Sequence, residues 1–336
     1  MTFRLLGGVA AFAAAGLFLH AEAQAQTEVV VGYQQVVGPF ITAIADGSFD
    51  KAAAEIGYEI DWRQFNSAGE VGTAMASDAV AIGVMGAPGV VSASSRGVEL
   101  EAFWILNNIG KAEALVVRDG SGIETPEDLK GKKVAVPFVS TSHFHLLVAL
   151  EKMWNIDPRE VDIFNMKPPQ IVAAWQRGDI DAAYVWPPAL SEIKKSGSVL
   201  ADSEEIGAAS IPTFDTLVVG KAFAAEHPDF MNAFTAVLAE HYNGFNANSA
   251  AWTADSAEVQ GIVRIIGGSP EDAVETLGLL SFPTLDEQVS ARWLGGSASE
   301  ALMGLAEFLV DQKQIDSVLP DYSGFVNADF ANAAAN

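Results

Sequence analysis

Cysteine does not occur anywhere in the 336 residues. Its absence excludes disulfides, thiolate nucleophiles, iron–sulfur and thiolate–zinc sites, and lipid anchoring through a cysteine. Basic side chains are scarce as well: 19 Lys and Arg stand against 43 Asp and Glu, a net charge of −24. So acidic a surface is unsuited to gathering nucleic-acid phosphates or docking on anionic lipid. Beyond residue 25 no apolar run reaches the roughly 18 residues that suggest a membrane span. There is no G-x-x-x-x-G-K-[ST] loop, G-x-S-x-G elbow or H-E-x-x-H helix. Gly83, Gly86 and Gly89 are spaced wrongly for G-x-G-x-x-G. His143 and His145, two apart, point to different faces, and nothing nearby completes a metal set. Binding is favoured over catalysis, with no cofactor implied.

What is present is apolar and globular. Half the residues are hydrophobic and 9% aromatic, ample for real cores. The length suggests about two domains, at roughly 150 residues each. Arg4, the apolar run of residues 5–19 and the small residues Ala21, Ala23 and Ala25 read as a secretory signal peptide over residues 1–25. With no cysteine to carry a lipid, retention by an outer membrane, and so a periplasmic location, is the expectation.

The remainder alternates short apolar strands with helices. Strands are expected at residues 28–32, 59–65, 80–84, 100–106, 114–117, 134–136, 161–164, 182–185 and 216–219. One helix is expected from Gly38 to Ile56, and others at residues 71–77, 88–96, 140–154 and 169–177, with one opening at Pro187. Everything after Lys221 reads as helical, ending in a frayed Ala/Asn-rich tail from Ala328 to Asn336. The fold class is α/β in two lobes, each a mostly parallel sheet flanked by helices. Lobe 1 takes residues 26–110 and 215–336, lobe 2 residues 111–214, and the crossings near Asn107–Ala112 and Ile211–Phe214 form a two-stranded hinge. One echo supports two similar halves. Residues 78–84 lead into Ala87-Pro88, and residues 179–185 into Pro187-Pro188. Ligands of open α/β sheets sit beyond the strands' carboxyl ends. Two lobes so built aim helix N-termini into one cleft, an anion site made of backbone dipoles.

Five segments carry a resemblance: Glu113-Ala-Leu-Val-Val, Gly131-Lys-Lys-Val-Ala-Val-Pro137, Ser140-Thr-Ser-His143, Ala174-Trp-Gln-Arg-Gly-Asp-Ile-Asp-Ala-Ala-Tyr-Val-Trp186 and Thr213-Phe-Asp215. From Val29 to about Phe282 the chain resembles the alkanesulfonate/nitrate/taurine solute-binding family of ABC importers, its taurine binders in particular. The resemblance implies a periplasmic-binding-protein fold, type II-like. It also implies a monomer that closes on taurine or a related small sulfonate and delivers it to a membrane permease driven by an ATPase. The enzymes that resemble this family, thiamine-pyrimidine synthases, carry a cysteine-rich motif that is missing here.

A ligand with a sulfonate at one end and an ammonium at the other sets the chemistry sought. Ser140, Thr141 and Ser142 offer hydroxyls and free amides at a helix start, though Ser and Thr are also ordinary caps there. Gly86, Ala87 and Pro88 offer the opposing helix terminus. Asp215 and Glu113, at the two crossings, are the carboxylates for the ammonium; bracing the hinge is their alternative role. Trp186, Tyr33 and Phe40 are candidates for an aromatic wall, or else core. Gln34 and Gln35 could donate amide hydrogens, and His143 either touches ligand or packs locally. A zwitterion has no net charge for −24 to repel, which favours taurine over plain anions.

Overall fold

The computed structural model describes residue 2, residues 26–211 and residues 213–335. The expected leader, Thr2 apart, lies outside the described residues. From Thr27 the chain runs β1 (Thr27–Tyr33), α1 (Pro39–Ala45), α2 (Ser48–Glu55), β2 (Tyr58–Gln64), α3 (Ala68–Ala76), β3 (Ile82–Gly86), α4 (Ala87–Ser95) and β4 (Leu100–Asn108). It then crosses to β5 (Ala114–Arg118), β6 (Lys133–Val136), α5 (Thr141–Val148), β7 (Asp162–Asn165), α6 (Pro168–Arg177), β8 (Ala182–Val185), α7 (Ala189–Lys194), β9 (Gly197–Asp202) and α8 (Ser203–Ala208). A second crossing leads into β10 (Phe214–Gly220), α9 (Lys221–Glu226), α10 (Pro228–Asn248), α11 (Ala257–Ile266), α12 (Pro270–Leu279), α13 (Leu285–Val289), α14 (Ser297–Asp311) and α15 (Asp329–Ala334).

The strands form two five-stranded sheets, ordered β2-β1-β3-β10-β4 and β7-β6-β8-β5-β9. In each sheet one strand, β10 or β5, runs antiparallel to both of its neighbours. The other pairings, β1 with β2 and β3 and β6 with β7 and β8, are parallel. The reversed strand is in each case the one that has just arrived from the other half. Both sheets therefore share one plan, and β3 and β8, the two strands of the sequence echo, occupy equivalent central places in it. Burial on both faces explains the apolar runs: all of β3 and all of β8 are buried.

Four expectations need correction. The single helix from Gly38 to Ile56 is two helices, broken at Asp46-Gly47, where Gly47 takes φ 79°, a left-handed value that glycine adopts without a Cβ penalty. The strand expected at 80–84 forms two residues later. β9 was not foreseen, because an edge strand that leaves Val199 47% exposed shows no buried run. The tail expected to fray contains α15, with Ala331 fully buried and Phe330 edge-on to Phe103 at 6.3 Å.

The C-terminal segment covers the open edge of β4. Asn327 donates its N–H to Ala102 O (2.8 Å), extending the sheet by one bridge. Fully buried Gln288 of α13 acts as a side-chain substitute for a neighbouring strand: Ile105 N–H donates to its Oε1 (2.9 Å), and its Nε2 donates to Ile105 O (2.7 Å). Removing that amide would leave two buried backbone groups unpaired, each costing about 1–3 kcal/mol. Gln288→Leu is expected to lower unfolding stability by about 2–4 kcal/mol in urea titration, with secondary structure retained. A loss below about 0.5 kcal/mol would mean water or another group reaches the edge instead.

Candidate functional site

β3 and β4 end, and β10 begins, at the place where the two halves meet. A cavity of about 50 Å³ lies there, walled by Gln34, Gln35, Val36 and Val37 after β1, Ser67 and Ala68 at the start of α3, and Gly86 at the end of β3. Asn107, Ile109, Ala112 and Glu113 line it from the first crossing, and Asp215 from the second. Lobe 2 adds Pro137, Ser140, Thr141, Trp186 and Pro187; α12 and its end add Thr276 and Leu280. At about 10–15 Å³ for each enclosed water-sized sphere, the space holds some three to five waters, or one small organic molecule.

The lining contains two carboxylates and no lysine, arginine or histidine. Glu113 is 3% exposed; its Oε1 accepts the Thr141 hydroxyl (2.5 Å), and its Oε2 has no partner among the described residues. Burial, and then the charge of Asp215, push its carboxyl up to about 8. Asp215 retains some accessible surface, but burial still raises it to about 6, the Asn107 amide pulling the other way. Asn107 and Asp215 face each other in the β4–β10 register, with Asn107 Nδ2 donating to Asp215 Oδ2 (3.4 Å).

Positive character comes from main-chain amides. The first amides of a helix have no intrahelical acceptor and carry the positive end of its dipole. α3 starts at Ser67, whose Oγ accepts from Glu70 N (3.3 Å) and keeps its own proton free, while α5 starts at Ser140. α4 starts at Gly86, and no side chain caps it. A Cβ on Gly86 would lie 2.8 Å from Thr141 Cγ2 and 3.3 Å from Asp215 Oδ1, so a hydrogen at this position is what lets the halves approach. Around the rim Lys167 pairs with Glu70, and Lys194 with Glu275 (2.8 Å), joining the halves through exposed ion pairs. Such pairs contribute little individually.

Of the residues expected from sequence, Gln34, Glu113, Ser140, Thr141, Trp186 and Asp215 come together at this cavity, with Gln35 and Gly86 beside them. Two of the expected hydroxyls are engaged elsewhere. Ser140 Oγ donates to Pro137 O (2.6 Å) and accepts from His143 N, and Thr141 Oγ1 donates to Glu113. Their backbone amides remain, and Ser67 offers the hydroxyl that was missed.

Tyr33, Phe40, Ala87, Pro88, Ser142 and His143 are not brought to the lining. Phe40 is core, edge-on to Phe49 (5.8 Å) and Trp62 (6.2 Å). Tyr33 is half-buried beside the core, and its carbonyl accepts from Phe65 N (2.8 Å). Ala87 and Pro88 lie buried in the first turn of α4, one step behind Gly86, and Ser142 is fully buried. His143 stacks on Phe138 at 4.3 Å and borders a separate surface cavity; burial pulls its imidazole down to about 4, so it is neutral at pH 7. Asn107 was also missed, although a polar residue closing the apolar run of β4 is a visible signal.

Comparison with known proteins bears on the family and the fold. Residues 34–248 match the family model described as NMT1/THI5 like. The chain is 41% identical over 318 residues to the taurine-binding periplasmic protein of Escherichia coli, covering 94% of this chain and 96% of that one. It is 29% identical over 213 residues to a putative aliphatic sulfonates-binding protein of Bacillus subtilis, 63% of each chain. In three dimensions it matches the alkanesulfonate-binding protein of Xanthomonas axonopodis pv. citri bound to MOPS with a TM-score of 0.71 and 22% identity, over 91% of this chain and 97% of that one. That last likeness bears on the fold, which is the two-lobed binding-protein architecture.

The raised carboxyls set a pH dependence. Between their unfolded values near 4 and their folded values of about 6 and 8, the native state holds more protons than the unfolded chain. Their contribution to the free protein's stability is therefore greatest below about pH 4 and is lost as pH rises toward 8. Urea midpoints at about pH 5 and pH 8 should differ less for a Glu113→Gln/Asp215→Asn double variant than for wild type. Equal differences would show that the two groups titrate normally.

Proposed function

The chain belongs to the NMT1/THI5-like family, and from that premise we propose that it is a periplasmic solute-binding protein that captures taurine, 2-aminoethanesulfonate. It closes its two lobes, residues 26–110 with 215–336 and residues 111–214, on that ligand. As a monomer it then hands taurine to the membrane permease of an ABC importer with its ATPase. Its role is capture and delivery rather than catalysis.

One observation carries the reading: a small cavity between the lobes holds two carboxylates and no cationic side chain, yet is ringed by helix N-termini. A plain anion would meet the charge of Asp215 unscreened, and a plain cation would leave the amide ends without a partner. A short zwitterion satisfies both. Its ammonium pairs with Asp215 and Glu113 at the crossings. Its sulfonate takes the amides that open α3 and α5, the Ser67 hydroxyl, and the amide hydrogens of Gln34 and Gln35. Trp186 walls the spacer. The Nε2 groups of Gln34 and Gln35 are held by Val84 O (2.8 Å) and Ile266 O (2.7 Å), which fixes their direction while leaving a second N–H each. Taurine's few heavy atoms match the cavity, and at most about −1.5 kcal/mol per atom they permit affinity better than micromolar.

Titration calorimetry with taurine, ethanesulfonate, sulfate and nitrate tests this directly. Taurine is expected to bind tightest. Asp215→Ala removes one member of an enclosed charge pair, worth about 2–5 kcal/mol, so taurine should weaken by about 30-fold or more. Ethanesulfonate, lacking the amine, should change by less than about threefold. Equal losses for the two ligands would refute the assignment of the amine to Asp215.

A second variant addresses closure. Gly86 has φ −73°, so Gly86→Ala introduces no backbone strain and acts only through the Cβ that meets Thr141. It is expected to weaken taurine binding at least about tenfold, read by the same calorimetric titration. Unchanged affinity would mean that the bound form does not bring Thr141 this close.

A further inference from the structure

Asn107 has so far served only as a neighbour of Asp215. It is 2% exposed, lines the cavity, and follows the apolar run of residues 102–106 in β4. A carboxylate can only accept hydrogen bonds, so the bond from Nδ2 to Asp215 turns the amide oxygen away from that carboxylate. This Oδ1 has no hydrogen-bond partner among the described residues. A buried acceptor without a partner is costly, and an apolar residue at this place would leave none of its own. Three residues that can accept hydrogen bonds therefore line one cavity: Asp215, Glu113 and Asn107. A primary ammonium has three N–H bonds to offer.

We propose that Asn107 is a specificity residue whose Oδ1 takes the third N–H of a primary ammonium, so that the site counts hydrogens on the ligand's nitrogen and rejects N-methylated aminosulfonates. The inference rests on the reading of the cavity as a taurine site. Each methyl that replaces a hydrogen leaves one more acceptor unpaired. A trimethylammonium group would leave all of them so, and would need aromatic faces around it instead; Trp186 is the one aromatic side chain in the lining. The choice is then made by hydrogen-bond count as well as by room.

The test is calorimetric titration of taurine and its N-methyl, N,N-dimethyl and N,N,N-trimethyl derivatives into wild type and Asn107→Leu. Leucine keeps nearly the shape of asparagine and removes the acceptor. Wild type is expected to lose about tenfold in affinity for each hydrogen replaced. In Asn107→Leu, taurine should weaken by about tenfold or more, the trimethyl derivative by less than about threefold, so the ratio between them contracts. A filter working by size alone would leave that ratio unchanged, which overturns the proposal. So does wild-type affinity for the trimethyl derivative within about threefold of that for taurine, whatever the variant does. Should thermal melts show Asn107→Leu to be misfolded, Asn107→Val answers the same question by the same ratio. Taurine binding without discrimination defeats this inference alone; no taurine binding to wild type defeats the proposed function and this inference with it.

Discussion

Two carboxylates enclosed together without a compensating cation form the constraint around which the molecule is arranged. Glu113 and Asp215 stand at the two crossings, Glu113 just before β5 and Asp215 second in β10, the strands that run against their neighbours in each sheet. Burial raises both above the ordinary carboxylate range, and the charge of Asp215 raises Glu113 further, so the free protein holds them at a cost. An ammonium placed between them would remove that cost, because an opposite charge in a poorly solvated site favours the ionised form. The ligand thereby supplies a charge the fold omits. Its other end is met by helix termini whose positive character is fixed by the backbone and cannot be titrated away.

That arrangement is useful only if the lobes can meet without obstruction, and local details serve the meeting. Gly86 carries no side chain at the point where Thr141 comes nearest. The first crossing is held from behind: Asn108 pairs with Ser281, and Lys111 N–H donates to Leu279 O. Gly110 adopts φ 53° there, and any Cβ on it would sit 2.6 Å from Leu279 O. The segment following α12 therefore braces the hinge as well as lining the cavity. By contrast, the Lys167–Glu70 and Lys194–Glu275 pairs at the rim are largely solvated and guide closure more than they drive it.

The architecture was legible because it depends on period and repetition. Buried parallel strands announce themselves as apolar runs, and the echo between residues 78–88 and 179–188 marks β3 and β8, equivalent strands of two sheets with one plan. Edge strand β9 escaped because one solvated side erases the run, and the break at Gly47 because a lone glycine inside a helical pattern is often tolerated. Site residues were harder for a different reason. Residue type shows what a side chain can donate, while only packing shows where the donation goes. The Ser140 and Thr141 hydroxyls are engaged by Pro137 and Glu113, Phe40 is absorbed by Phe49 and Trp62, and Ser67 and Asn107 become visible once α3 and β4 are placed.

The overall charge completes the selection. At −24 the molecule repels anions before they arrive, but screening at about 0.1 M salt limits that repulsion to roughly 10 Å. Within that distance the two carboxylates of the cavity take over, and they too disfavour any sulfonate that brings no positive charge. A raised carboxyl in a cleft is often a sign of acid–base catalysis. Here burial and a like charge account for the rise, and a bound cation relieves it. On the proposed reading, the same perturbation that would arm an enzyme's proton donor works as a sieve: a zwitterion can neutralise the acids at one end while occupying the helix dipoles at the other.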